Sequence, residues 1–346
     1  MLRRVKRTAL HLMKSSGLFR VIADSRWRQS RLLILCYHGV STEDEHEWRP
    51  ALYMKPSQLD ERFAMLKNGG YNVLPLGEAW SRLLRNDLPS RSVVLTFDDG
   101  GSDFIKEAYP LLKNYGFPAT VYQTTYYTDY PRPVFNLICS YMLWKKRQEV
   151  LDRGAELGVE PRMDLRTFSK RRGIMQQILR KVAQEELTGA QCNDLAAHLA
   201  QILGIDYDSL VAKRILQLLT PSEVAQLSRD GIDFQLHTHR HRTPSEEGLF
   251  RKEIRENRDR LRQITGLEAV HFCYPSGVYE RRFLPWLASE NVISATTCDI
   301  GIAARTSPPL LVPRFVDTTG TTSAVFESWL TGVGELLWHK RSVSVD

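Results

Sequence analysis

Two groups of residues in this sequence have the types and spacing for metal chemistry. The stretch RSVVLTFDDGGSD, residues 91–103, delivers two adjacent carboxylates, Asp98 and Asp99, followed by Gly100 and Gly101. Side-by-side negative charges are costly unless a metal ion or an arginine stands nearby. The stretch FQLHTHRHRTP sets His237, His239 and His241 at two-residue steps. Imidazole suits a divalent transition metal, and two histidines with one carboxylate leave a position open for water or substrate. If a strand ends near His237, the chain can turn so that His237 and His241 converge while His239 faces elsewhere. An ordinary Asp–Gly turn and a solvated histidine-rich loop are the plainer alternatives.

The elements that must position these residues alternate. LLILCYHGV (32–40) reads as a buried strand ending at His38, and 57–76 reads as a helix, a Gly-Gly stop and a strand. Val93, Val94, Leu95 and Phe97 form the strand ahead of the aspartates, because β-branched and aromatic residues favour that state. Residues 102–124 and 220–241 each repeat helix, glycine stop, strand. A long charged helix (246–266), the strand and turn AVHFCYPSG, and the strands VISATTC and LLVPRFVD follow, with a helical stretch at 322–340. Such alternation predicts a parallel sheet with crossover helices. Sites in such folds form at the C-terminal strand ends, where His38, Asp98, Asp99, His237 and Tyr274 all fall. Between 131 and 218 helical periodicity prevails, which predicts a helical insertion.

Composition is that of an ordinary globular protein, 42% apolar and 25% charged over 346 residues. The five cysteines are scattered, odd in number and contain no CxxC pair, so neither a disulfide framework nor a cysteine zinc site is expected. Residues 1–31 hold nine Lys and Arg against Asp24, so the net +7 belongs to this arm and the remainder sums to about −1. Apolar residues from Leu2 to Ile22 interleave with the charges at helical spacing. Such an arm either docks on the domain by its apolar stripe or lies on an anionic membrane surface. No apolar core of signal-peptide length and no spanning run is present, which points to a cytoplasmic protein, peripheral at the inner membrane face if the arm binds there. No nucleic-acid motif accompanies the charge, so no nucleic-acid partner is expected.

TFDDG, HTHRH in the place of H-T-x-x-H, and CYPSG as a variant of F-x-Y-P-x-G occur in order. Together they resemble the polysaccharide deacetylases of carbohydrate esterase family 4, the NodB-homology group. CYHGV and LTPSEVAQLSRDGIDF are similar to that family too, and the likeness covers roughly 32–125 and 219–318. The resemblance implies a distorted (β/α) barrel of the polysaccharide deacetylase type, here with a helical insertion, and metal-dependent removal of N-acetyl groups from a saccharide. Carried over by position, it implies that Asp99, His237 and His241 hold a divalent metal, zinc first, with cobalt or nickel as substitutes. Asp98 would be the base toward metal-bound water. The backbone N–H of Tyr274 would face the oxyanion. Gly100, Pro275 and Gly277 would shape the space for sugar.

Two departures stand out. The arginine that many members carry just before the Tyr-Pro motif, to pair with the base aspartate, is missing from HFC. Arg314 in VPRFVD is the candidate substitute, with a structural ion pair as its other reading. A late L-x-H usually supplies the acid; LWH ends at His339 in a helical stretch, so His38 or His239 could serve instead. The expected organisation is an arm at 1–31, barrel segments at 32–130 and 219–320, the insertion at 131–218, and a C-terminal helix and tail at 321–346. Hydrolysis of another C–N bond, or a catalytically silent glycan-binding relative, are the competing functions.

Overall fold

Strands buried on both faces read as continuous apolar runs, because a parallel sheet is covered by helices. Arg31–Tyr37 (β1) and Ser92–Asp99 (β2) follow that rule, with Leu32–Tyr37 and Ser92–Asp98 buried throughout. The structure, a computed structural model, describes residue 10 and residues 13–337. Thr120–Gln123 (β3), Asp233–Leu236 (β4), His271–Cys273 (β5), Ser294–Ile300 (β6) and Val312–Val316 (β7) complete a closed ring of seven parallel strands. The order around the ring is β1-β7-β6-β5-β4-β3-β2, closed by Leu33–Tyr37 of β1 against Val93–Phe97 of β2. The barrel is distorted. A single residue pair, Phe272 with Leu236, joins β5 to β4, and the register shifts between β6 and β7.

The two-residue period of a strand sorts the side chains. Leu33, Leu35, Tyr37, Val93, Leu95 and Phe97 pack in one cluster with the helices, while Leu32, Ile34 and Val94 join Tyr122, Cys273 and Val312 in another. The second cluster is the barrel interior. Leu76, Ala79, Trp80 and Leu83 of the helix Leu76–Arg85 close it at the N-terminal strand ends. This helix corrects the expected strand over 71–76, of which only Asn72–Val73 pairs. Continuing the alternation, Cys36 and His38 follow Ile34 on the interior line, and Thr96 and Asp98 follow Val94. The sequence thus aims Asp98 into the barrel before any tertiary contact is considered.

The outer helices are Pro56–Asn68, Tyr109–Tyr115, Pro221–Arg229, Glu247–Thr265, Phe283–Ser289 and Ser323–Thr331. Thr220 starts one of them with a reciprocal cap to Glu223, worth ~1 kcal/mol. The expected C-terminal helix is two pieces, Ser323–Thr331 and Val333–Leu337, parted by Gly332 at φ 93°. Of the arm, residues 1–9, 11 and 12 lie outside the described residues. The helix Leu18–Ala23 buries Phe19 and Ala23 and leaves Leu18 and Val21 exposed.

A second compact unit runs Tyr130–Leu218. Its helices Phe135–Lys145, Phe168–Gln184, Gly189–Ile202 and Tyr207–Ala212 bury Ile138, Met142, Ile178 and Leu199. It also holds a small antiparallel pair, Val150–Leu151 with Met163–Asp164.

Candidate functional site

Asp99 ends β2 in a left-handed conformation, φ 73°, which turns its carboxylate out of the line that buries Asp98. β4 ends at Leu236, and positive φ values at Thr238 and His241 curl the next residues back. The curl brings the His237 and His241 rings to 5.0 Å. Their Nε2 atoms stand 3.2 and 3.1 Å from Asp99 Oδ1. The donor atoms of all three residues lie within 4.8 Å of one another. One carboxylate and two imidazoles at this spacing fit a divalent transition metal.

The His237 ring is oriented from behind. Its Nδ1 donates to the Cys273 carbonyl at 2.8 Å, which aims Nε2 at Asp99. The His237 backbone N–H donates to Asn257 Oδ1, and the Asn257 amide donates to the Gln123 carbonyl and to Thr125 Oγ1. Burial raises the Asp99 carboxyl, but hydrogen bonds from both histidines outweigh it and hold the group well below the usual range. Burial lowers His241, and its bond to Asp99 carries it back above its ordinary value.

Asp98 lies inside the barrel in a two-pronged pair with Arg314 from β7. NH1 donates to Oδ1 and NH2 to Oδ2, both at 2.8 Å, with Arg314 fully buried. The Arg314 Nε donates to the Thr297 carbonyl and NH1 also reaches Thr96 Oγ1. Burial pushes the Asp98 carboxyl up, yet the Arg314 charge and its hydrogen bonds win and hold it well below the usual range. His38 Nε2 is 3.7 Å from Asp98 Oδ2, with its side chain 16% exposed.

Other expected residues are placed differently. The Tyr274 N–H donates to the Thr296 carbonyl at 3.2 Å, its hydroxyl donates to the Leu310 carbonyl, and its ring is buried on Phe272. The Tyr274 N–H is thus engaged with the neighbouring strand in this structure. Gly100 has φ 76°, and a Cβ there would meet Gln123 Oε1 at 1.9 Å. The space on the Cβ side of Gly100 is taken by a buried glutamine. A Cβ on Gly277 would meet Cys298 at 2.7 Å, and Pro275 is buried. These two shape the turn. His239 points away, its Nδ1 at 2.8 Å from Thr125 Oγ1 and its ring on Tyr126. His339 lies outside the described residues.

Sequence reasoning missed Cys36, Cys273 and Asp103. Both thiols donate to Asp98 Oδ2, at 3.5 and 3.4 Å. Strand alternation through Leu32 and Ile34 was the available signal for Cys36. Asp103 Oδ2 accepts from the Val40 N–H at 2.6 Å, which ties the loop after His38 to the aspartate turn. Burial pushes this carboxyl up to about 7.

A seven-stranded parallel barrel with paired acids and histidines at its mouth is the frame of a carbohydrate-active hydrolase family, and the comparisons name it. Residues 85–292 match the family model for polysaccharide deacetylase, and the chain belongs to that family. It is 33% identical over 96 residues to the polysaccharide deacetylase homologue YxkH of Bacillus subtilis (strain 168), covering 28% of this chain and 32% of the relative. It is 31% identical over 100 residues to the poly-β-1,6-N-acetyl-D-glucosamine N-deacetylase of Escherichia coli (strain K12), covering 29% and 15%. The chain thus matches a third or less of the length of these relatives. The deacetylase PplD of Streptococcus pyogenes, solved in complex with acetate, shares the fold at TM-score 0.56 and 21% identity over 84% of this chain and 94% of that one. IcaB from Ammonifex degensii does so at TM-score 0.53 and 15% identity, over 87% and 97%. No helix among the described residues is long and apolar enough to cross a membrane.

Proposed function

We propose that this chain is a metal-dependent hydrolase that removes N-acetyl groups from a saccharide. The observation that carries this reading is the ionised, arginine-paired Asp98 beside the Asp99–His237–His241 donor set. Asp99, His237 and His241 would hold the divalent ion, zinc first and cobalt or nickel as substitutes. When bound, that ion supplies Lewis acidity toward the acetamide carbonyl and toward water. Asp98 would accept the proton of the attacking water. Arg314 keeps Asp98 ionised and fixes both oxygens, so the base is oriented before substrate arrives. His38, whose Nε2 lies 3.7 Å from Asp98 Oδ2, would hand a proton to the departing amine.

The acetate in PplD and the N-acetylglucosamine polymer named for the Escherichia coli enzyme make β-1,6-linked N-acetylglucosamine oligomers the first substrates to test. Metal-loaded protein is expected to release acetate from them, and Asp98→Asn to lower the rate ~100- to 10,000-fold with metal retained. Full metal occupancy without acetate release from any acetamido sugar would contradict the assignment and favour another amide. A contact of the arm with an anionic membrane surface, at the inner face of the membrane, remains part of the proposal. Leu18 and Val21, exposed on either side of Arg20, support it.

A further inference from the structure

The interior line of β1 carries more than the Asp98 pair requires. Cys36 Sγ lies 3.5 Å and His38 Nε2 3.7 Å from the same atom, Asp98 Oδ2, and the donor atoms of the three residues fall within 4.8 Å of one another. Tetrahedral zinc with bonds of ~2.0–2.3 Å has ligand-to-ligand edges of about 3.3–3.8 Å. The Cys36–Asp98 and His38–Asp98 separations sit at or near those edges. They match as closely as the 3.1 and 3.2 Å edges of the Asp99 site. One thiol, one imidazole and one carboxylate form a borderline-soft donor set, distinct from the oxygen-and-nitrogen set beside it. The remaining contacts of Oδ2 are Arg314 NH2 at 2.8 Å and Cys273 Sγ at 3.4 Å. A carboxylate oxygen can keep the Arg314 donor on its second lone pair while it binds a cation, and the longer Cys273 thiol contact is then given up.

We propose that Cys36, His38 and Asp98 form a second cation site, filled by zinc after the Asp99–His237–His241 site, and that its filling inhibits the enzyme. The inhibition rests on the reading given above, because the second ion would take both the base and the proton donor. On binding, the Cys36 S–H bond breaks, its proton leaves to solvent and a sulfur–zinc bond forms. Repulsion from the neighbouring ion makes this the weaker site, occupied when zinc is in excess.

The test is a cobalt(II) titration of the metal-free full-length protein, followed by visible absorption and by the near-ultraviolet thiolate-to-cobalt band. The first equivalent is expected to give visible absorption without the thiolate band, and further cobalt to bring that band in. Cys36→Ser should lose it, His38→Gln should need more cobalt to reach it, and Cys192→Ser should keep it. Asp99→Ala should still show the band, so a failed catalytic reading and a failed second site give different spectra. In wild type, acetate release should decline over the range of excess zinc that fills the site. No thiolate band at any excess of cobalt, or a band that survives in Cys36→Ser, overturns the proposal.

Discussion

Arg314 and Asp98 face each other across the barrel interior, both taken out of water. Attraction at short range and the two-pronged geometry offset the desolvation only while both partners are present. Arg314→Ala should therefore destabilise the protein by about 3–5 kcal/mol at neutral pH, with an unpaired carboxylate left inside. The sign of the pH dependence follows from the depressed Asp98 pKa. A carboxyl held below its unfolded value of ~3.9 adds stability that is complete above that value and lost as pH falls through the folded one. Without Arg314 the buried carboxylate protonates at higher pH, so its penalty fades in acid. The gap in melting temperature between wild type and Arg314→Ala should be widest near neutrality and shrink toward about pH 3. A gap independent of pH would show that Arg314 acts by packing alone. Asn257 invites a second comparison. Its side chain holds the His237 backbone, and Asn257→Ala should weaken metal binding ~10- to 100-fold, read by competition with a chelator. Unchanged metal affinity in that variant would mean that His237 is oriented by the Cys273 carbonyl alone.

Turns and strand ends carry the site, and they divide what sequence shows from what it hides. The alternating pattern of β1 and β2, the paired acids at a strand end and the histidine run were legible, because period and residue type are local properties. The Arg314 pairing was legible only as one of two readings, since nothing local says which arginine crosses a barrel. The engaged N–H of Tyr274 was hidden for the same reason: its partner, the Thr296 carbonyl, comes from the neighbouring strand. Arg28 reads as one more charge of a basic arm, yet it is fully buried and donates to the Leu330, Arg31 and Ser92 carbonyls. Gly100 shows how a motif letter conceals its cause. Both its positive φ and the buried Gln123 amide exclude a side chain, and Gly100→Ala should cost about 1–3 kcal/mol in backbone strain plus the clash. Adding Gln123→Ala should recover the clash part, measured by a double-mutant cycle in urea. Additive losses would place the whole effect in the backbone.

Across the whole molecule, charge is divided between the arm and the rest of the chain. The positive balance sits in residues 1–31, while the barrel and the unit Tyr130–Leu218 together sum to about −1. A protein so divided should bind vesicles of anionic phospholipid more strongly than neutral ones, and lose that preference as salt screens it. Val21→Asp should reduce co-sedimentation with anionic vesicles without altering the melting temperature, its side chain being 69% exposed. Equal sedimentation with neutral and anionic vesicles would remove the membrane from the account.

The central claim is that Asp99, His237 and His241 hold the metal on which deacetylation depends. The direct measurement is metal content of purified wild type, Asp99→Ala and His237→Ala, with acetate release from N-acetylglucosamine oligomers followed in the same samples. The account predicts near-stoichiometric metal in wild type, its loss in both variants, and acetate release falling in step. A wild type that takes up no zinc, cobalt or nickel, or an Asp99→Ala variant that releases acetate at the wild-type rate, would contradict it.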